Sequence, residues 1–408
     1  MEKKKNNHAL TFVFITMLID VTGIGIIIPG LPDLLRNLTG GTLSDASVEG
    51  GWLMFSYALM QFFFSPILGG LSDQYGRRPV ILASLLGFSV DYLFTGFAPT
   101  IGWLFIGRIF AGIFGASFST AGAYIADVSE PEKRAQNFGL IGAAFGLGFI
   151  LGPMIGAFLH PFGERVPFFV AAGLAMVNFI YGYFVLPESL LPENRRNFDW
   201  KRANPFGTLR QIFKYKSVLS LIIPFALFSI AGYAMQSTWS YYTIEKFGWT
   251  QADVGWSLSF VGVMAAVVQG GLSRFIIPKL GNSKSIYFGL ILNLIGFIGF
   301  AMATEGWMMY AITIFGTFGG IAAAALQAMM SNAVPANEQG ELRGGITSLM
   351  SLTAIIGPLL MSNVFAHYTN KKTELYLPGA PFWVGAVLTS ISLVLIFRTL
   401  SKISKKVA

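Results

Sequence analysis

Three ionisable side chains interrupt the long apolar stretches of this 408-residue chain: Asp20, Asp91 and Arg108. All three lie in the first half, and the second half carries no charge away from the ends of its apolar stretches. Desolvation among apolar neighbours favours the neutral form of a carboxylate, which lets it bind and release a proton near neutral pH. A guanidinium in the same setting is costly and is normally paired or placed in a wet cavity. Asp91 shares a helical face with Ser84, Gly87 and Thr95, a polar stripe suited to the inside of a helical bundle. Asp20 lies one turn before Gly23. The chemistry these types offer is proton coupling, with Asp91 the first choice as carrier and Asp20 the second, since Asp20 is a candidate partner of Arg108. The plainer alternative is a fixed buried pair with Arg108, and one carboxylate can be that pair while the other carries the proton. Arg108, five residues past Trp103, can also extend to the outer surface.

Uncharged polar residues are the candidates for substrate contact. Gln61, Gln236, Gln269, Asn293 and Gln327 are isolated in apolar surroundings and are expected to wall a cavity or to bond helix to helix. Other chemistries are excluded. With no cysteine there is no thiolate catalysis and no cysteine-held zinc. His8, His160 and His367 are far apart, in segments that read as tail or loops, which argues against a histidine metal site. No GxxxxGK[ST] loop is present, so ATP hydrolysis within this chain is excluded.

The elements that position these residues are membrane spans. Charged residues are 12% of the chain, against about 25% in soluble domains. Hydrophobic residues are 54% and mean hydropathy is +0.61, more apolar surface than a soluble fold of this length can hide. Twelve apolar stretches are placed near residues 10–30, 51–71, 79–98, 101–125, 137–159, 167–187, 217–238, 254–273, 285–304, 306–330, 345–365 and 381–399. At about 20 residues per crossing each can span a bilayer. They are continuously apolar, which excludes the alternation of barrel strands. The N-terminus, the C-terminus and the loops after even-numbered spans hold 22 of the 28 Lys and Arg; the opposite side holds Arg36, Arg165, Lys246, Lys371 and Lys372. That asymmetry places both termini in the cytoplasm and accounts for the net +8 as a topology signal.

The polar, basic loop 188–216 divides the chain into an N-terminal six-helix bundle, 1–187, and a C-terminal one, 217–408. Gly-Gly-Leu-Ser recurs at 69–72 and 270–273, Gly-Pro at 152–153 and 357–358, and Gly87/Asp91 correspond to Gly289/Asn293, offsets of 201, 205 and 202. Such a repeat implies two pseudo-symmetric bundles with a solute site between them, open to one side at a time.

Two motifs refine that reading. The loop Gly69-Gly70-Leu71-Ser72-Asp73-Gln74-Tyr75-Gly76-Arg77-Arg78-Pro79 resembles the G-x-L-a-D-r-x-G-R-R/K signature of the major facilitator superfamily. Gly69, Asp73, Gly76, Arg77 and Arg78 are expected to form a cytoplasmic gate, held shut by charge-assisted contacts in one state; alternatively the arginines are topology residues only. The second copy carries Arg274 at the position of Asp73. Residues 148–156 place Gly148, Gly152 and Gly156 at four-residue steps around Pro153, and resemble the G-x-x-x-G-P-x-x-G pattern of the superfamily's antiporters. Plain helix packing by small residues is the alternative.

The stretch DVTGIGIIIPGLPDLLR at 20–36 resembles the first-helix signature of the tetracycline-resistance efflux pumps. The likeness continues through Tyr57–Gln61, the 69–79 loop, GFSVDY at 87–92, Gly107–Gly115, Ile125-Ala126-Asp127, and, more weakly, Phe247-Gly248-Trp249, Glu305-Gly306-Trp307 and Ala325-Leu326-Gln327. The resemblance implies the twelve-helix major facilitator fold, not an enzyme. It implies a proton-driven antiporter of the bacterial inner membrane exporting a drug-like molecule, with Asp20, Asp91 and Arg108 at positions needed for transport and Gln61 near the substrate path. It implies no resident cofactor, protons as coupling ion, a magnesium ion able to travel with a chelating substrate, and a monomer without nucleic-acid partners. A proton symporter importing a metabolite such as a sugar is the alternative. Two departures weaken a tetracycline assignment: Asn293 stands where those pumps carry Asp, and Ala265 where they carry His.

Overall fold

The computed structural model describes residues 2–115, 117–130, 134–200, 203–207, 216–334 and 339–407. Among them there is no strand, and the helices are α1 Glu2–Ile27, α2 Leu31–Thr39, α3 Leu43–Tyr75, α4 Arg77–Phe97, α5 Ile101–Phe114, α6 Ser117–Val128, α7 Arg134–Leu159 and α8 Val166–Val185. The second half adds α9 Lys216–Phe247, α10 Gln251–Ala265, α11 Ser273–Met302, α12 Gly306–Gly316, α13 Gly319–Asn332, α14 Gln339–Thr369 and α15 Ala380–Val407. Helices are the form an apolar chain must take in lipid, because each backbone N–H and C=O then finds its partner within the segment.

The expected spans are recovered with differences that have local causes. The fourth is divided into α5 and α6 after Gly115, and the tenth into α12 and α13 at Thr317–Phe318. Both breaks fall in glycine-rich sequence at corresponding points of the repeat. The eighth and ninth are joined as one helical stretch, Gln251–Met302. Within it residues Ala266–Leu272 form a π-helix, and the direction changes at Gly281, where φ is +73°. Gly76, which separates α3 from α4, has φ +107° and stands 205 residues earlier. A left-handed glycine therefore turns the chain at the same point of each half, in the second within the connection expected between residues 273 and 285. His367 lies in the last turn of α14, where a loop was expected.

The chain forms two compact units. One comprises Met1–Gly40, Ser56–Pro205 and Thr250–Ser259; the other Gly41–Phe55, Phe206–Trp249 and Phe260–Ala408. In the first, α1 packs on α7 and α8, and α4 on α5 and α8, around Phe12, Met17, Ile81, Leu85, Tyr124 and Leu186. In the second, α9 packs on α14 and α15, and α11 on α13 and α15, around Val218, Phe225, Ile286, Leu290, Leu326 and Ile396.

Candidate functional site

The antiparallel pair α4 and α5, joined by a short turn, places Asp91 opposite Arg108. Arg108 Nη2 donates to Asp91 Oδ2, with the Asp91 side chain 0% and that of Arg108 20% exposed. Asp91 Oδ1 is buried and accepts no hydrogen bond. It faces Gly107, where a Cβ would stand 2.7 Å away, so the glycine makes room for the carboxylate. One oxygen thus accepts from the guanidinium, and the other has no donor. Asp20, on α1, is buried at 5% exposure. The Tyr92 hydroxyl, next in sequence to Asp91, lies against Gly23 of α1, one turn beyond Asp20. Of the three charges singled out in the sequence, Arg108 is paired, and the carboxylate it holds is Asp91, the first choice as carrier, in the pairing given above as the plainer alternative.

The uncharged candidates divide. Gln61 Nε2 donates to the Gly115 carbonyl at 3.0 Å and to Tyr57 Oη at 3.2 Å. It thereby bonds α3 to the C-terminal end of α5. In the second unit Asn293 Nδ2 donates to the Gly316 carbonyl at 3.1 Å, while its Oδ1 is buried without a partner. Gln269, in the π-helix, packs on Gly320 of α13, and Asn293 packs on the adjacent Gly319. The α12–α13 break thus brings these two amides to one place. Gln236 and Gln327 are exposed, on α9 and α13.

The glycines of α7 face α1. A Cβ at Gly148 would stand 2.7 Å from Val21 Cβ, and one at Gly152 2.7 Å from both Gly25 Cα and the Thr22 carbonyl oxygen; one at Gly156 would meet the Ile26 carbonyl. Contact is backbone to backbone, directly beyond Asp20. Pro153 Cδ abuts Gly25, and the Pro153 carbonyl faces Gly255 of α10, whose Ser259 Oγ donates to the Ile150 carbonyl at 2.9 Å.

The 69–79 loop is held by residues remote in sequence. Arg77 Nη1 donates to Asp73 Oδ1 and, at 2.7 Å, to Ser72 Oγ; Arg77 Nε donates to Asp127 Oδ2 at 3.2 Å. Ser72 Oγ in turn donates to the Gly69 carbonyl at 2.7 Å. Glu188, just after α8, accepts the backbone N–H groups of Arg77, Arg78, Ser189 and Leu190 at 2.8–3.2 Å. A carboxylate on the first amides of α4 satisfies unpaired donors and sits at the positive end of the helix dipole. A side chain at Gly76 would collide with this carboxylate. Arg78 Nη2 donates to the Tyr183 carbonyl at 2.6 Å, the Arg196 N–H to the Asp73 carbonyl at 3.0 Å, and Phe198 covers Gly70. Asp127 and Glu188 belong to this network around the expected gate loop and were not assigned to it from sequence; Asp127 stood in a family-like tripeptide, whereas nothing marked Glu188.

Asp73→Asn keeps the loop's backbone but weakens the Arg77 bond. Asp73 is 43% exposed, so the loss is about 1–2 kcal/mol, at the meeting of exposed pairs and charge-assisted bonds. Glu188→Gln has a comparable effect through four weaker N–H contacts. Both variants are expected to insert normally and to export about 5–30-fold more slowly, measured as initial rates at matched protein amounts. Wild-type rates in both would reduce the loop to a topology signal.

Residues 13–358 of the chain match the model of the Major Facilitator Superfamily, and 279–407 match it again. The chain belongs to that superfamily. Among curated relatives of this superfamily member, "Tetracycline resistance protein, class C" of Escherichia coli is 38% identical, covering 95% of this chain and 96% of that protein. "Tetracycline resistance protein, class B" of Escherichia coli is 36% identical at the same coverage. "Multidrug resistance protein 2" of Bacillus subtilis is 30% identical over 96% of this chain and 97% of its own. The fold is shared with the human organic anion transporter MFSD10, at TM-score 0.74 and 23% identity over 96% of this chain and 99% of that one. This major facilitator chain is thus a transporter of the tetracycline-resistance protein group, built for transport and not for enzymatic catalysis.

Outside the spans, the described residues of the transporter include a further titratable cluster. Asp33 of α2 lies 3.8 Å from Arg36 and 4.0 Å from His160, and Asn37 Nδ2 donates to Glu164 at 2.5 Å. Burial pushes the Asp33 carboxyl above its usual range; His160 and Arg36 oppose the shift and Glu164 adds to it. A raised folded-state value means that the native state binds the proton more tightly than the unfolded chain does. Stability is therefore fully present below the unfolded value of 3.8 and falls as pH climbs through the raised one. Asp33→Asn removes that loss, so the variant is expected to gain on wild type in thermal unfolding as pH rises from 4 to 7. A constant difference across that range contradicts the assignment.

Proposed function

We propose that the protein is a proton-driven exporter of drug-like small molecules, working by alternating access in a bacterial plasma membrane with both termini cytoplasmic. The observation that carries this reading is the Asp91–Arg108 pair with Asp91 Oδ1 left without a donor. A proton added at Oδ1 neutralises the carboxylate and removes most of its attraction for Arg108, so the guanidinium is free to reorient. Asp20 sits on the helix whose backbone touches α7, so a change of charge there is felt at the α1–α7 contact. The names of the most similar relatives reported above, the tetracycline and multidrug resistance proteins, support export over metabolite import. The amides at Gln269 and Asn293 supply neutral hydrogen-bonding groups for the solute, with Gln61, Gln236 and Gln327 as further candidates. The proposed substrate class is tetracycline-like or another multi-ring drug, with any magnesium ion carried as part of a chelated substrate. The protein is proposed to act as a monomer.

The test is substrate-induced proton release from energised inverted membrane vesicles. Adding a transported drug should release lumenal protons, and an uncoupler should abolish drug accumulation. Accumulation that survives the uncoupler and follows ATP would remove the proposal.

A further inference from the structure

A groove of about 560 Å³ runs along the exposed face of α14 within one compact unit. Its lower wall is Ile355, Ile356, Leu359 and Leu360, with Phe55 of α3 as its flank. Asn363 follows, then His367 and Tyr368. From Ile355 to Tyr368, thirteen steps at about 1.5 Å rise make the lining about 20 Å long. That matches half of a hydrocarbon core of about 30 Å plus the interfacial layer above it.

Polarity rises in one direction along this length, from aliphatic through a single amide to a ring nitrogen and a phenol. Just beyond, the chain folds into a tight turn. Thr373 Oγ1 donates to the His367 carbonyl at 2.5 Å, and the Lys372 N–H to Asn370 Oδ1 at 3.0 Å. The turn holds the exposed Lys371 and Lys372 beside the groove's polar end. Glu374 is the one acid in it; Glu245 is engaged by the Tyr376 hydroxyl at 2.9 Å, a contact that, after burial, helps push that phenol up to about 12. The two lysines are two of only five Lys and Arg on the side of the membrane that is otherwise poor in them. Two cations beside a histidine at the head of a one-leaflet apolar slot complement a phosphodiester with a hydrocarbon tail.

We infer that this groove binds one acyl chain of an anionic phospholipid, in the leaflet opposite the Lys/Arg-rich face, with His367, Lys371 and Lys372 taking its phosphate. Asn363 is placed to bond the ester level. The lipid covers Ile356 and Leu360, which are otherwise exposed on this face.

The test uses the full chain in nanodiscs of phosphatidylglycerol or phosphatidylcholine with identical tails, read by lipid retained in native mass spectrometry and by thermal unfolding. Wild type should retain phosphatidylglycerol at least fivefold over phosphatidylcholine and unfold at higher temperature in it. His367→Gln/Lys371→Gln/Lys372→Gln should reduce that ratio to near one, and Leu360→Trp, which fills the slot, should lower retention of both lipids. Should either variant fold poorly, a salt titration of wild type decides: a preference that fades with ionic strength supports the site, and one indifferent to salt overturns it. Equal retention in wild type, an undiminished ratio in the triple variant, or displacement of either lipid by exported drug also overturns it.

Discussion

Asp91→Asn is expected to abolish proton-driven export while leaving drug binding within a few-fold of wild type. Two effects combine, and they can be separated. The first is chemical: an amide cannot take the proton that Asp91 Oδ1, buried and without a donor, is placed to take. The second is structural. Removing one partner of a buried pair leaves Arg108 charged and uncompensated, at a cost of about 3–5 kcal/mol. The thermal midpoint should therefore fall clearly. Asp91→Asn/Arg108→Gln removes both charges and should recover most of that stability, yet accumulate no drug against a gradient. Stability and coupling then part company, which a purely structural role for the pair does not allow. Asp20→Asn should impair coupling through a different route, since Asp20 lies on α1 beside the α7 contact. Full substrate-induced proton release in both single variants would move the carrier elsewhere, to Glu245 or to Glu305 at the start of α12.

What was legible in the sequence was whatever depends on composition over a helix length. Apolar stretches and the glycine steps of α7 each predict their element because lipid permits little but helices. The buried charges were legible as a set of residues, since three charges in apolar sequence are conspicuous, but which carboxylate pairs with Arg108 was not. Whether Arg108 meets Asp20 or Asp91 depends on how α4 turns against α5, and on Gly107 making room, which spacing alone does not determine. The helix breaks at Gly115 and at Thr317–Phe318 were hidden for a similar reason. Glycines on a packing face and glycines at a break look alike until the carbonyl to which Gln61 donates is seen. Glu188 was out of reach: its partners are the amides of Arg77 and Arg78, 111 and 110 residues away, and a carboxylate in a polar loop carries no mark of the helix end it caps. The second-half turn at Gly281 falls inside the connection expected between residues 273 and 285, but the helix runs on through 273–280 before turning, which the polar and basic residues there did not reveal.

Gly152→Val is expected to abolish export, and Gly152→Ala to reduce it about tenfold or more. The atoms a Cβ would meet are Gly25 Cα and the Thr22 carbonyl oxygen, both backbone, at 2.7 Å. No side chain can rotate aside, so α1 and α7 must separate, and overpacking of this kind costs about 1–3 kcal/mol for a methyl and more for a branched group. The displacement falls on the α1 segment that begins one residue after Asp20, so coupling suffers along with stability. The same helix supplies the control. Gly142 and Gly146 have nothing within 4 Å of a built Cβ. Gly142→Ala and Gly146→Ala should leave export within twofold and hold or raise the thermal midpoint, because alanine favours a helix by up to about 1 kcal/mol over glycine. The sign of the stability change therefore reverses along one helix, from the α1-facing glycines to the open ones. If Gly152→Ala were as silent as Gly146→Ala, the four-residue glycine spacing of α7 would be incidental. The coupling of α1 to α7 would then have to run through Pro153 and its contact with Gly25 instead.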